Sequence, residues 1–207
     1  MASDAVVLPG ELSVPPDALG LVVFAHGSGS GRLSPRNQAV ARSLNGAGLG
    51  TLLFDLLTED EASDRRHVFD VHLLADRLLG VTGWARRHPG CTDLSLGYFG
   101  ASTGAAAALL AASRDGVGAI VSRGGRPDLA WPALQDVRAP TLLIVGGEDP
   151  QVLALNTEVM GRLGGHVRLE VVPGATHLFE EPGALEQVAH LAAGWFLRYL
   201  PLRETSG

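Results

Sequence analysis

The stretch Leu94-Ser95-Leu96-Gly97-Tyr98-Phe99-Gly100-Ala101-Ser102-Thr103-Gly104-Ala105-Ala106-Ala107-Ala108-Leu109-Leu110 divides into three pieces. Leu94–Phe99 predicts a strand buried on both faces, and Thr103–Ser113 predicts an alanine-rich helix. Between them Gly100-Ala101-Ser102-Thr103-Gly104 makes a G-x-S-x-G turn. A serine on so tight a strand-to-helix turn has a strained backbone, and glycines two positions either side relieve clashes with the helix and the neighbouring strand. Its hydroxyl projects at the C-terminal edge of a sheet, where the N-terminus of the next helix favours developing negative charge. Ser102 is therefore the candidate nucleophile. The competing reading is a chance match in a chain rich in glycine and alanine.

Working outward, short apolar runs alternate with longer amphipathic ones, the pattern of a mainly parallel sheet with helices on both faces. Strands are expected at Leu21–Ala25, Thr51–Asp55, Ala119–Ser122, Thr141–Val145 and Val167–Val172, with a weaker first strand near Ala5–Leu8. Ser34-Pro35 supplies a cap and an N1 proline for a helix to about Leu44. Phe69, Leu73, Leu74, Leu78 and Val81 repeat at helical spacing within about Val68–Arg87. Further helices are expected at Gln151–Leu163 and Pro182–Tyr199, and charged Glu59–His67 as an exposed loop. With no internal repeat and no long linker, residues 1–207 are expected to form one α/β domain.

Composition narrows the chemistry. The chain has 207 residues, 46% of them hydrophobic and 18% charged, enough apolar material for one packed core. All 16 basic residues are arginine, against 22 acidic ones, for a formal net charge of -6. Absence of lysine excludes a Schiff-base lysine and a P-loop lysine, and the acidic balance argues against a nucleic-acid partner. One cysteine, Cys91, permits no internal disulfide. Residues 1–16 lack the features of a secretory signal, and Ala105–Ala112 is far shorter than a membrane span, so a cytoplasmic protein with no membrane partner is expected.

A serine nucleophile needs a base, and the base needs an acid to orient it. Both follow Ser102 in order. Asp149 stands in Gly146-Gly147-Glu148-Asp149-Pro150, after one expected strand, and His177 in Pro173-Gly174-Ala175-Thr176-His177, after the last. Glu148 is a rival acid, and Asp149 can also serve as a helix cap. None of the seven histidines forms a convincing metal pair, so no metal is expected.

The loop His26-Gly27-Ser28-Gly29-Ser30-Gly31 closes the strand Leu21–Ala25. It is suited to supply the Ser28 backbone N–H as one oxyanion donor, with the Thr103 N–H as the other. His26 is expected to shape the loop rather than move protons. A nucleotide-binding loop is the alternative, but G-x-G-x-x-G would need glycine where Arg32 stands. Arg123 or Arg126 can hold a substrate carboxylate through a bidentate pair, or be tied in an ion pair with Asp128, Glu148 or another acid. Trp131, Leu178 and Phe179 can line the pocket, and core packing explains them equally well.

These motifs together resemble the α/β-hydrolase superfamily, and within it the small, cap-poor dienelactone hydrolase-like branch. They are His26-Gly27-Ser28-Gly29, the turn around Ser102, Gly146-Gly147-Glu148-Asp149 and Gly174-Ala175-Thr176-His177-Leu178-Phe179, in family order across nearly the whole chain. The resemblance implies an α/β-hydrolase fold with minimal or no cap domain, no cofactor, and hydrolysis of a small-molecule ester, lactone or related acyl substrate. Dienelactone hydrolases proper use a cysteine nucleophile. Here the position holds Ser102, and Cys91 lies before the same strand, too far from its C-terminal end to react. Relatives of this short form also look like domains attached to phosphoribosyltransferase domains. Acyl transfer or thioester hydrolysis on the same residues, and a non-catalytic binding domain, are the alternatives. The span between Ser122 and Pro140 leaves no room for a lipase-type helical lid. The sequence assigns no oligomeric state.

Overall fold

Apolar residues alternate between the two faces of each central strand, so each strand feeds two cores at once. Along β2 (Leu21–Ala25), Leu21, Val23 and Ala25 face one core and Val22 and Phe24 the other. The computed structural model describes residues 6–200. Its remaining elements are β1 (Gly10–Ser13), α1 (Pro35–Gly46), β3 (Gly50–Phe54), α2 (Glu59–Ala62), α3 (Arg65–Val68), α4 (Val71–Arg87), β4 (Leu96–Ala101), α5 (Thr103–Arg114), β5 (Ala119–Arg123), β6 (Thr141–Gly146), α6 (Pro150–Val159), β7 (Val167–Val172) and α7 (Ala184–Tyr199). A 3-10 segment, Pro127–Asp136, links β5 to β6.

The seven strands form one sheet in the order β1-β3-β2-β4-β5-β6-β7. Only β1 is antiparallel to its neighbour. From β2 the chain first crosses outward to β3, then returns past β2 to β4 and continues the other way. This reversal opens a crevice beyond the C-terminal ends of β2 and β4, the place where sheets of this kind bind ligands. Residues of α1 and α7 pack on one face with Phe24, Phe99 and Val121. Residues of α4 and α5 pack on the other, with Tyr98 and Ile120.

Several boundaries differ from those read in sequence. The first strand is Gly10–Ser13, whereas residues 6–8 form no strand, and Ala5 lies outside the described residues. An edge strand needs few apolar side chains, and β1 turns only Leu12 to the core, so its apolar signal is weak. The segment Glu59–His67, expected as a loop, folds instead into the one-turn helices α2 and α3. Thr58 and Glu61 make a reciprocal capping box, and Asp64 caps the second turn. Such short helices have no room for an apolar period. α4 starts at Val71 because the Asp70 carboxylate accepts the N–H groups of His72 and Leu73, which leaves Phe69 exposed outside the helix. β4 starts at Leu96 and runs on through Ala101. In place of a lid, the 3-10 segment packs Ala130 and Leu134 into the core shared with α5.

Candidate active site

Ser102 stands between β4 and α5 with φ 50° and ψ -121°. This is a left-handed conformation costing on the order of 1–3 kcal/mol for a residue with a side chain. Local hydrogen bonds hold it there. Its N–H donates to the Arg123 carbonyl at 3.2 Å, and its own carbonyl accepts the N–H groups of Ala105 and Arg126, both at 3.1 Å. The flanking glycines are required by close approach: a Cβ on Gly104 would lie 2.1 Å from the Ala25 carbonyl oxygen, so α5 could not seat against β2.

Asp149 and His177 come to the same edge from loops after β6 and β7. Asp149 Oδ2 lies 2.7 Å from His177 Nδ1. A carboxylate only accepts, so Nδ1 carries the proton and Nε2 is left as the basic nitrogen. The His177 side chain keeps 39% exposure against 14% for Asp149, so the imidazole stays accessible while its carboxylate partner is shielded. Asp149 Oδ1 also accepts the Val152 N–H at 3.4 Å and so caps α6. Glu148 is exposed and takes no part in this contact. Gly124 lies beneath the imidazole, where a Cβ would stand 3.4 Å from Nδ1 and Cε1. Among the described residues the Ser102 hydroxyl is not hydrogen-bonded to the His177 ring. Such bonds are often loose before substrate binds.

The Ser28 N–H donates to the Thr103 hydroxyl at 3.1 Å, which ties the glycine-rich loop to the first turn of α5. Both residues line a cavity of about 260 Å³ whose apolar floor includes Leu57, Val68 and Leu74 and whose polar wall includes Asp55. Asp55 accepts the Arg32 N–H at 2.7 Å and forms an ion pair with its guanidinium. His26 is a strut in this loop. Its Nδ1–H donates to the Gly27 carbonyl and its Nε2 accepts the Leu56 N–H, each at 2.9 Å. Burial pushes its pKa down, so the ring stays neutral and shapes the turn.

The other candidates separate. Arg126 is paired with Asp128 through two bonds, at 2.8 and 2.7 Å. Trp131 is stacked by Arg162 at 4.1 Å, away from the cavity, and Phe179 is buried in the core under α1 and α7. Leu178 is exposed. Arg123 is only 9% exposed, and its Nη1 has no hydrogen-bond partner among the described residues. Cys91 is buried, which pushes its thiol pKa up and leaves it unreactive. Sequence reasoning did not single out Asp55, Leu57 or Leu74. Asp55 was legible as a strand-end residue beside β2, whereas Leu57 lies in the loop two residues further on and Leu74 reaches the cavity only through the packing of α4.

No protein-family model matches the chain. A crystal structure of a dienelactone hydrolase from Anabaena variabilis is 54% identical in sequence, covers 96% of this chain and 95% of its own, and superimposes with a TM-score of 0.92. Est1E from Butyrivibrio proteoclasticus shares the fold at 18% identity, with coverages of 95% and 96% and a TM-score of 0.80. Provisionally named phosphoribosyl transferases from two strains of Mycobacterium tuberculosis are 59% identical over 197 residues, or 94% of this chain. The chain spans 44% of the length of these curated relatives. Among the described residues no helix is long and apolar enough to cross a membrane.

Proposed function

The chain belongs to the dienelactone hydrolase-like branch of the α/β-hydrolase superfamily, and from that membership we propose that it is a serine hydrolase cleaving a small carboxylic ester, lactone or related acyl bond. One observation carries the reading: the Asp149 carboxylate lies 2.7 Å from His177 Nδ1, on the sheet edge where Ser102 occupies its strained turn.

In the proposed mechanism His177 Nε2 takes the Ser102 hydroxyl proton as Oγ attacks the substrate carbonyl carbon. Asp149 holds the proton on Nδ1 and stabilises the imidazolium. The carbonyl oxygen, now an anion, accepts hydrogen bonds from the N–H groups of Ser28 and Thr103. The Ser28 N–H exchanges the Thr103 hydroxyl for the oxyanion, a partner with greater charge. Collapse breaks the ester bond, and His177 returns its proton to the leaving alcohol. Water, deprotonated by His177, then attacks the acyl-enzyme and releases the acid and free Ser102. An alcohol or thiol competing with water at that last step would make the same site an acyltransferase.

The test is labelling of the protein with a fluorophosphonate probe, read by intact mass, beside a Ser102→Ala variant and a short-chain p-nitrophenyl ester series. The expected result is one adduct on the wild type and none on the variant, with turnover of the shorter esters. No adduct on folded protein would exclude an activated serine. Adding an alcohol during turnover and analysing the products separates transfer from hydrolysis.

A further inference from the structure

Arg123 is the last residue of β5, and its carbonyl accepts the Ser102 N–H, so it stands one strand from the nucleophile at the same edge. Strand alternation turns its side chain away from the α5 face, toward the face that α1 and α7 cover. There burial, and after it the charge of Arg36, lowers the guanidinium pKa to about 10. The buried Arg123 guanidinium is thus set near a second, half-buried one. Among the described residues Arg123 has no acidic partner and its buried Nη1 has no acceptor. Arg36 is ion-paired to the exposed Glu180 carboxylate through a single Nη1 bond at 2.9 Å, while its buried Nε has no acceptor.

Arg36 belongs to the first turn of the twelve-residue helix α1, whose N-terminus points to the same sheet edge. Ser34 caps that helix without a side-chain hydrogen bond, so the N–H groups of Arg36 and Asn37 take no partner from it. The buried Arg123 guanidinium thus lies near Arg36 in the first turn of α1, and each of the two arginines keeps a buried nitrogen without an acceptor. A planar carboxylate has two oxygens in one plane, whereas a phosphate monoester offers three terminal oxygens in a tetrahedral array and carries nearly two charges.

We propose that Arg123, Arg36 and the first turn of α1 form a pocket for a phosphate monoester group of the substrate. This rests on the serine hydrolase reading and narrows it: the scissile acyl bond lies at Ser102, and a phosphate elsewhere on the same molecule is held by the two arginines. Arg126, whose Nε and Nη2 are both taken by Asp128, takes no part, whereas Arg36 gives Glu180 only Nη1.

Two measurements test this, one of them independent of turnover. Inorganic phosphate binding is followed by calorimetry and thermal shift in the Ser102→Ala protein, alone and combined with Arg123→Met or Arg36→Gln. Saturable binding is expected, weakened at least tenfold by either arginine change, with acetate binding no tighter than in those variants. Hydrolysis by the wild type is then compared for the acetyl esters of glycerol 3-phosphate, glycerate and glycerol. The phosphorylated ester is expected to lead in kcat/KM by tenfold or more, an advantage that Arg123→Met removes. Phosphate binding unchanged by both arginine changes overturns the proposal, as does equal turnover of all three esters or a preference for the glycerate ester. If Arg123→Met does not fold, judged by near-ultraviolet circular dichroism, Arg36→Gln decides. Phosphate binding without fluorophosphonate labelling would uphold the anion pocket and reject the hydrolase reading.

Discussion

At Asp149 one carboxylate serves two partners, with Oδ2 taking the His177 Nδ1–H at 2.7 Å and Oδ1 the Val152 N–H at 3.4 Å. Asparagine can still cap α6, but its amide cannot hold His177 in the required tautomer. Asp149→Asn is expected to lower kcat by about 10⁴-fold while changing stability by less than about 1 kcal/mol. Steady-state kinetics beside urea unfolding checks both halves. His26 behaves oppositely, because its structural bonds require the neutral ring. Its folded pKa lies below the ordinary 6.5, so its contribution is fully present above that value and is lost as pH falls toward the folded pKa. Unfolding free energies at about pH 7.5 and about pH 5.5 are expected to show a loss in acid that is smaller in His26→Asn, whose amide does not titrate.

At the scale of elements, the site is made where strands end and the next segment turns sharply, and glycine decides whether those turns can close. Gly124, between β5 and the 3-10 segment, has φ +52°, and a Cβ there would lie 3.2 Å from the His177 carbonyl oxygen and 3.4 Å from its ring. Gly124→Ala is expected to cost roughly 1–2 kcal/mol for the left-handed backbone and to displace the imidazole. Its kcat should fall more than its KM rises, measured on a p-nitrophenyl ester. The capping box of Thr58 and Glu61 shows the limit of pattern reading at this scale. Its two residues stand in plain view, yet a four-residue helix has no periodicity to announce it.

For the whole molecule, the sheet divides the apolar interior into two cores. Leu109 on α5 is fully buried in one and Phe196 on α7 in the other. Leu109→Ala is expected to cost about 2–5 kcal/mol and Phe196→Ala about 3–5 kcal/mol. With the sheet between them, the double variant should match the sum of the single effects to within about 0.5 kcal/mol. A larger coupling in urea denaturation would mean that the two faces relax together. The sheet order also sets the location of the candidate site, because the reversal between β3 and β4 opens the edge where Ser28, Ser102 and Thr103 meet.

The amino-acid sequence alone determined the alternating architecture, the serine turn and the order in which Ser102, Asp149 and His177 leave their strands. Each depends on contacts between near neighbours in the chain: strand pattern, glycine at a sharp turn, a polar residue at a strand end. The pairing of Arg126 with Asp128 is local as well, two residues apart, and was open only because a rival use was equally close at hand. Tertiary structure decided that Arg123 is buried without an acid, within reach of the charge of Arg36, and that Trp131 packs on Arg162. It also brought Leu57 and Leu74 to the cavity beside Thr103. These outcomes depend on how α1, α4 and the 3-10 segment dock on the sheet, and docking sums many weak contacts between residues far apart in sequence that no local pattern encodes.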